Sequence, residues 1–341
     1  MKTAVVLVNL GGPDSLDAVE PFLFNLFFDP AIISVPQPFR WILAKLISKR
    51  RAPIAREIYE NLGGRSPLLE LTEEQARALE KQSPDLGEIR TFICMRYWHP
   101  MSDATAGQVK QFDPDKIILL PLYPQYSTTT SASSIKDWHR AAAVVGLRVP
   151  TVEICCYPEQ DGWVDAQVSL IRNAIKDAGG DAKPRLLFSA HGLPKKVIAA
   201  GDPYQWQVER TAAAVVERLD IDGLDHVVCY QSQVGPLEWI GPSTDDEIKR
   251  AGMDGVPVVV VPIAFVSEHS ETLVELDIEY RELADEHGVP GYTRVPAVGT
   301  HPSFVAAMAG LVRKAVHADG PRISGAGGRI CPDTCGRCAW A

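Results

Sequence analysis

The sequence lacks any long hydrophobic run. Its most apolar unbroken stretch is residues 256–266, punctuated by Pro257 and Pro262; a bilayer-spanning helix needs roughly 20 apolar residues. It lacks a basic excess, with 34 Lys and Arg against 43 Asp and Glu and a formal net charge of −9, so no nucleic-acid partner held on a basic face is expected. Both phosphate-cradling fingerprints, G-x-G-x-x-G and G-x-x-x-x-G-K-[ST], are absent. Short repeats and low-complexity tracts are absent too, and the Gly and Pro residues, 26 of each, are scattered, which excludes collagen-like and disordered architectures. The apolar start at residues 4–10 runs into Gly11-Gly12-Pro13-Asp14 without a small-residue cleavage site. No secretory leader is therefore expected, and a cytoplasmic protein is.

What is present is ordinary globular material: 341 residues, 46% hydrophobic and 23% charged, about two domains' worth of chain. Short β-branched runs alternate with longer amphipathic stretches, the pattern of βαβ units and an α/β fold with parallel sheets. Strands are expected at 4–10, 90–95, 116–122, 149–155, 185–190, 226–230, 258–263 and 293–297. Helices are expected at 17–28, 71–81, 133–144, 162–178, 203–219, 270–286 and 302–317, the first with Asp17 and Glu20 at capping-box spacing. A polar break at Asp177-Ala178-Gly179-Gly180-Asp181 divides two similar halves. The expected domains are 1–180 and 181–318, followed by a Gly-rich arm, 319–341.

In open α/β sheets ligands sit beyond the carboxyl ends of the strands, so polar chemistry just past a strand marks a candidate. Strand one ends in Asn9-Leu10-Gly11-Gly12-Pro13, a tight turn. His191 in Ser189-Ala190-His191-Gly192-Leu193-Pro194 stands where an imidazole reaches a metal or a proton. Ser267-Glu268-His269-Ser270-Glu271-Thr272 sets a histidine between carboxylates. Glu268, Glu271, Glu275 and Glu279 fall on one stripe of an α-helix, donors that suit a loosely held divalent metal. Gln231-Ser232-Gln233-Val234-Gly235-Pro236 leads to Trp239, suited to stacking on a planar ring. Arg96-Tyr97-Trp98-His99 and Tyr123-Pro124-Gln125-Tyr126 add further aromatics. Together these describe a site for a large, flat, anionic ligand and a metal. Of the seven cysteines, Cys331, Cys335 and Cys338 crowd the tail as C-x3-C-x2-C, a density that favours an iron–sulfur cluster or zinc.

These segments, together with Arg50-Arg51-Ala52-Pro53 and Gly63-Gly64-Arg65-Ser66-Pro67, resemble ferrochelatase in the expected order over residues 4–317. The resemblance implies the type II chelatase fold: two Rossmann-like, doubly wound domains, each on a parallel four-stranded sheet, with a cleft between them. It implies insertion of ferrous iron into protoporphyrin IX to form protoheme, the last step of heme biosynthesis, by distorting the macrocycle and removing two pyrrole protons. His191 and Glu271 are then the catalytic pair, facing each other across the ring, with Glu268, His269 and Glu275 also handling iron. The porphyrin contacts carried over are Leu10, Arg51, Tyr59, Ser66, Arg96, Tyr97 and Trp239. Residues 21–47 correspond to an apolar lip that touches the membrane surface, making the protein peripheral on the inner face. The cysteine tail is similar to that of members holding a [2Fe–2S] cluster, with Cys156 or its neighbour Cys155 as fourth ligand, and to that of dimeric members, so a homodimer is one expectation and the oligomeric state stays open. A cobalt or nickel tetrapyrrole chelatase and a non-catalytic heme or iron carrier are the competing readings.

Overall fold

A computed structural model of the protein describes residues 1–178, 183–233 and 235–341. The chain divides into two compact units: Met1–Cys156 with Met308–Arg329, and Tyr157–Ala307 with Ile330–Ala341. The first crossing thus falls at residues 156/157, whereas the composition break suggests 177–181. Asp177 and Ala178 close a helix of the second unit, and Gly179, Gly180 and Asp181 lie outside the described residues. The arm expected at 319–341 is shared out as well, through Arg329 to the first unit and from Ile330 to the second.

In the first unit the order is β1 Lys2–Asn9, α1 Val19–Phe28, α2 Phe39–Glu60, α3 Leu68–Lys81, β2 Glu88–Met95, α4 Ser102–Phe112, β3 Lys116–Pro121, α5 Ser131–Val144 and β4 Thr151–Ile154. The second unit contributes α6 Asp161–Ala178, β5 Arg185–His191, α7 Lys195–Ala199, α8 Tyr204–Leu219, β6 His226–Gln231, α9 Thr244–Asp254, β7 Val258–Pro262, a π-helix Glu271–Glu279, α10 Tyr280–Glu286 and β8 Tyr292–Arg294. Helix α11, Pro302–Val316, and strand β9, Arg322–Ile323, complete the order.

The first sheet runs β2-β1-β3-β4-β9 and the second β6-β5-β7-β8, all parallel. The first therefore has five strands where four were expected: Glu153 pairs with Arg322 and Ile154 with Ile323, so the arm supplies the extra edge. Parallel strands are covered on both faces and so read as continuous apolar runs, which is why Ala4-Val5-Val6-Leu7-Val8 and Val258-Val259-Val260-Val261 are wholly buried. Trp138 of α5 and Val109 of α4 close one core over β1 and β3; Ile248 of α9 and Leu276 close another over β5 and β7.

Helix α1 buries Val19, Phe22 and Leu23, the i, i+3, i+4 stripe of an amphipathic helix. The expected capping box does not form, because Ala18 is the N-cap and carries no side-chain acceptor. The N–H of Ala18 is satisfied instead by Ser15 Oγ at 3.3 Å. Helix α2 buries small residues, Ala44, Ser48 and Ala52, while Phe39, Trp41, Ile42, Leu43 and Leu46 remain exposed. Among the described residues no helix is long and apolar enough to cross a membrane.

Both sheets place their first strand second in the order, so connections leave in opposite directions from β1 and β3, and from β5 and β7. Those two switch points are where ligands of open α/β sheets bind.

Candidate active site

At the β5/β7 switch point the sheet register aligns Ser189 with Pro262, so the segments that leave the two strands emerge side by side. His191 ends β5. Beyond β7 the chain turns through residues 263–270 and enters the π-helix at Glu271. His191 Nδ1 and Glu271 Oε2 are 3.0 Å apart. Two groups shape the space around the pair. Gly192 has no Cβ where one would stand 2.9 Å from the carbonyl of Gln231 and 3.3 Å from the Trp239 ring. Trp239 is bridged to Pro194, and its buried indole Nε1 has no hydrogen-bond partner.

Behind the pair, Glu275 receives the backbone N–H of Ser232 at 2.8 Å, the Ser232 hydroxyl at 2.6 Å and Gln231 Nε2 at 2.9 Å. Gln231 is itself held by the Ser189 hydroxyl at 2.8 Å. Sequence reasoning does not single out these anchors as site residues, although both lie in the strand-end motif that flags Trp239. His269 gives Nδ1–H to the carbonyl of Ser267 at 3.1 Å, leaving Nε2 on the side of Glu271, 3.8 Å away.

The charges are unbalanced toward the negative. Burial alone would lower the proton affinity of His191, but the charge and hydrogen bond of Glu271, with Glu275 beyond, push its pKa up to about 9. Burial would raise that of Glu271, yet the His191 and His269 imidazoles overcome it and hold the carboxyl well below the usual range. For Glu275 the balance goes the other way: burial and the neighbouring Glu271 raise it more than Ser232, Gln231 and the His191 charge lower it. The site can therefore store a proton on an imidazole of raised basicity and offer carboxylate oxygens to a cation.

Three expectations need correction. His191 and Glu271 do not flank a ring, because a 3.0 Å hydrogen bond leaves no room for a macrocycle between them; they act as one pair. The acidic stripe is not α-helical. Glu268 precedes the helix and turns to Arg294 Nη1 at 2.6 Å, and the rest lies on a π-helix, whose wider turns break the 3.6-residue spacing. Finally, among the described residues no three His, Cys, Asp or Glu side chains form a ready metal-holding set, so His191, His269, Glu268, Glu271 and Glu275 are not gathered into one cage. Arg294 and Ser232 divert two of them.

In the first unit, Leu10, Tyr59 and Tyr97 pack in one cluster with Val19, Phe22 and Leu23. The turn that carries Leu10 needs glycine next: Gly11 has φ +86°, and a Cβ there would stand 3.0 Å from Trp98 N. Tyr97 is buried, not presented, and its hydroxyl donates to Asp29 Oδ2 at 2.8 Å. Arg96 Nη2 meets the same oxygen at 2.8 Å and Arg96 Nε donates to Ser133 at 2.9 Å, while the Ser133 hydroxyl also donates to Asp29. Asp29, which no motif flags, is thus the hub that orients both residues. Ser66, half-buried, is tied by its N–H to Pro13 at 2.8 Å, and Arg51 is exposed on α2.

Cys331, Cys335 and Cys338 pack as one buried cluster against Trp206, Ile330 and Trp340. Hydrogen bonding to Cys338, then burial, raises the Cys331 thiol, and Gln207 Nε2 donates to its sulfur at 3.1 Å. Cys155 and Cys156 come directly after β4 in the first unit, their sulfurs 3.3 Å apart.

Two parallel α/β sheets, the second with an imidazole–carboxylate pair past its switch point, give a fold shared with a solved chelatase. The solved structure of SirB from Bacillus subtilis with Fe3+ agrees in fold, with TM-score 0.56 at 15% identity over 93% of this chain and 96% of that one. The family follows from sequence. The ferrochelatase family profile matches residues 2–316. The ferrochelatase of Caulobacter vibrioides (strain NA1000 / CB15N) is 54% identical over 341 residues, covering 99% of this chain and 97% of that one. That of Pelagibacter ubique (strain HTCC1062) is 53% identical over 317 residues, covering 92% and 91%. The chain belongs to the ferrochelatase family.

Proposed function

We infer that the chain inserts ferrous iron into protoporphyrin IX, forming protoheme and releasing the two pyrrole protons. The observation that carries the catalytic assignment is the hydrogen-bonded His191–Glu271 pair at 3.0 Å, backed by Glu275 and His269. With Nδ1 engaged by Glu271, the other ring nitrogen, Nε2, is the acceptor for a pyrrole proton, and pairing makes it a stronger base than free imidazole. Glu271 takes the incoming dication and passes on protons, with His269 Nε2 beside it; Glu275, its oxygens held by Ser232, Gln231 and Tyr280, adds negative charge behind the pair. Trp239, whose indole N–H is unpartnered, packs against the macrocycle. Leu10 packs against it too, backed by Tyr97 and Arg96, which Asp29 fixes in place, and Arg51, Tyr59 and Ser66 receive the propionates, Arg51 through charge-assisted hydrogen bonds.

Anaerobic incubation of the purified protein with ferrous iron and protoporphyrin IX tests this reading. Appearance of heme absorbance is expected, and its absence overturns the reading.

The exposed face of α2, with Phe39, Trp41, Ile42 and Leu46 beside Lys45, Lys49, Arg50 and Arg51, supports a peripheral contact with an anionic membrane surface. What supports a [2Fe–2S] cluster on the tail is that Cys331, Cys335 and Cys338 are buried in one cluster with an amide N–H on one sulfur. When bound, such a cluster supplies one-electron chemistry. A red-brown preparation whose visible absorption is lost in Cys335→Ser is expected; a colourless, zinc-containing one overturns the assignment.

A further inference from the structure

The segment that delivers Glu271 and Glu275 to His191 is a nine-residue π-helix, and π-helical turns are rare beyond single bulges. Something outside the helix must favour that winding. One brace is the Ser232–Gln231 grip on Glu275. The Tyr292 hydroxyl, on the Leu276 carbonyl at 2.6 Å, is another, and a third is Arg294, the last residue of β8. Its side chain is nearly buried, 10% exposed. It meets Asp277, inside the helix, with two parallel bonds, Nε to Oδ1 at 2.8 Å and Nη2 to Oδ2 at 2.6 Å. Its third nitrogen, Nη1, takes Glu268 at 2.6 Å, immediately before His269. The same Glu268 oxygen accepts the backbone N–H of Ala297 at 2.8 Å. A single guanidinium therefore grips the chain on both sides of Glu271 and ties it to the strand beside β7.

We propose that Arg294 is a positioning residue for metal insertion: it holds residues 268–279 in the π-helical register and thereby sets the reach of Glu271 to His191. The proposal rests on the ferrochelatase reading for its kinetic consequence but not for its structural one. Asp277 and Glu268 approach from opposite ends of the segment, and only a planar fork with donors on two edges satisfies both. A lysine ammonium keeps the charge but cannot make the paired bonds. Freed from the fork, the helix relaxes toward α winding. The rotation between successive side chains then changes, and Glu271 and Glu275 no longer point at His191 together. Displacements on that scale cost about 100-fold in rate when the reacting groups must be aligned.

The test uses the full chain and two variants, Arg294→Lys and Asp277→Asn, the second cutting the bidentate arm while leaving Arg294 on Glu268. Backbone amide exchange over residues 268–279, thermal midpoint, and kcat and KM for protoporphyrin are measured for each. In Arg294→Lys, amide exchange in 268–279 rises about tenfold or more and kcat falls about 10- to 100-fold with KM for protoporphyrin unchanged. Asp277→Asn shows the same exchange signature and a smaller fall in kcat. Wild-type exchange in either folded variant overturns the proposal, as does wild-type kcat in Arg294→Lys. Should Arg294→Lys fail to fold, Asp277→Asn decides alone by the same exchange criterion. A wild-type protein that forms no heme overturns the ferrochelatase reading instead and leaves the exchange result to judge Arg294.

Discussion

Asp29 and Glu271, one in each unit, are carboxylates put to opposite uses. Asp29 is sealed, with 1% of its side chain exposed, and is fully supplied: the Arg96 guanidinium at 2.8 Å, the Tyr97 hydroxyl at 2.8 Å, the Ala31 N–H at 2.8 Å and the Ser133 hydroxyl. Glu271 keeps 27% of its side chain exposed and faces an imidazole that titrates, with Glu275 adding a second negative charge nearby. A carboxylate whose acceptor sites are all met by fixed donors has no free capacity for chemistry; it can only hold others in place. One that shares a proton with imidazole and lies beside a second carboxylate retains that capacity. The difference is one of donors supplied, not of residue type.

The two sites should therefore respond to mutation in opposite ways. Asp29→Asn leaves the Arg96 guanidinium beside a neutral amide with Asp137, 3.9 Å away, as its remaining carboxylate, and breaking a buried pair from one side costs up to about 3–5 kcal/mol. A large fall in thermal midpoint is expected. His191→Ala should lower turnover by about 100-fold or more, the scale of a lost general base, with a smaller fall in midpoint than Asp29→Asn, because Glu271 keeps 27% of its side chain in contact with solvent. Calorimetry and heme-formation rates on the two proteins decide the matter. Equal midpoints, or near-normal turnover in His191→Ala, would erase the distinction drawn between the two carboxylates.

Only half of this contrast is legible in the sequence. His191 and Glu271 announce themselves because each comes after an apolar strand that can only be internal. Asp29 does not: it stands between Phe27-Phe28 and Pro30, and nothing local says that Arg96, Tyr97 and Ser133 will converge on it from β2 and α5. All eight expected strands form, since an unbroken β-branched run is a strong local signal. Helices α2, α4, α7 and α9 escape the periodicity reading. Helix α2 is apolar on the outside and small on the inside, with Pro53 within it, which inverts the usual pattern. Strand β9 is two residues long, too short for any periodicity to show. The π winding of 271–279 is set by tertiary braces, so the sequence reads there as an ordinary α stripe.

The pH dependence tests the reactive half of the contrast. His191 titrates near 9 in the folded protein, above its ordinary 6.5. The stability contributed by its pairing is therefore complete below about 6.5 and is lost as pH rises through about 9. The partner carboxylate is shifted downward, so its contribution is present above its ordinary 4.5 and is lost as pH falls below that. With His191 Nε2 as the proposed proton acceptor, turnover requires it unprotonated, and kcat/KM should climb with pH toward a limb near 9. Glu275 contributes to the upward shift of His191; Glu275→Gln removes that charge and should move the limb to lower pH by up to roughly one unit. A limb that stays in place would mean that Glu275 does not act on the imidazole.

The smallest difference is that between glycine and alanine at Ser232, which holds Glu275 through both its N–H and its hydroxyl while sitting at φ +62°. That conformation suits glycine and costs other residues roughly 1 kcal/mol or more. Ser232→Ala keeps the strain and loses one hydrogen bond to a carboxylate, an expected cost of about 1.5–3 kcal/mol. Ser232→Gly loses the same bond but relaxes the backbone, so its thermal midpoint should lie above that of Ser232→Ala. Both variants should raise Glu275 further, because the hydroxyl that favours its charged form is gone. Wild-type, Gly and Ala should therefore fall in that order of stability, while the two variants share one pH profile. If glycine proved less stable than alanine, the left-handed turn would not be strained, and the grip on Glu275 would owe nothing to stored backbone energy.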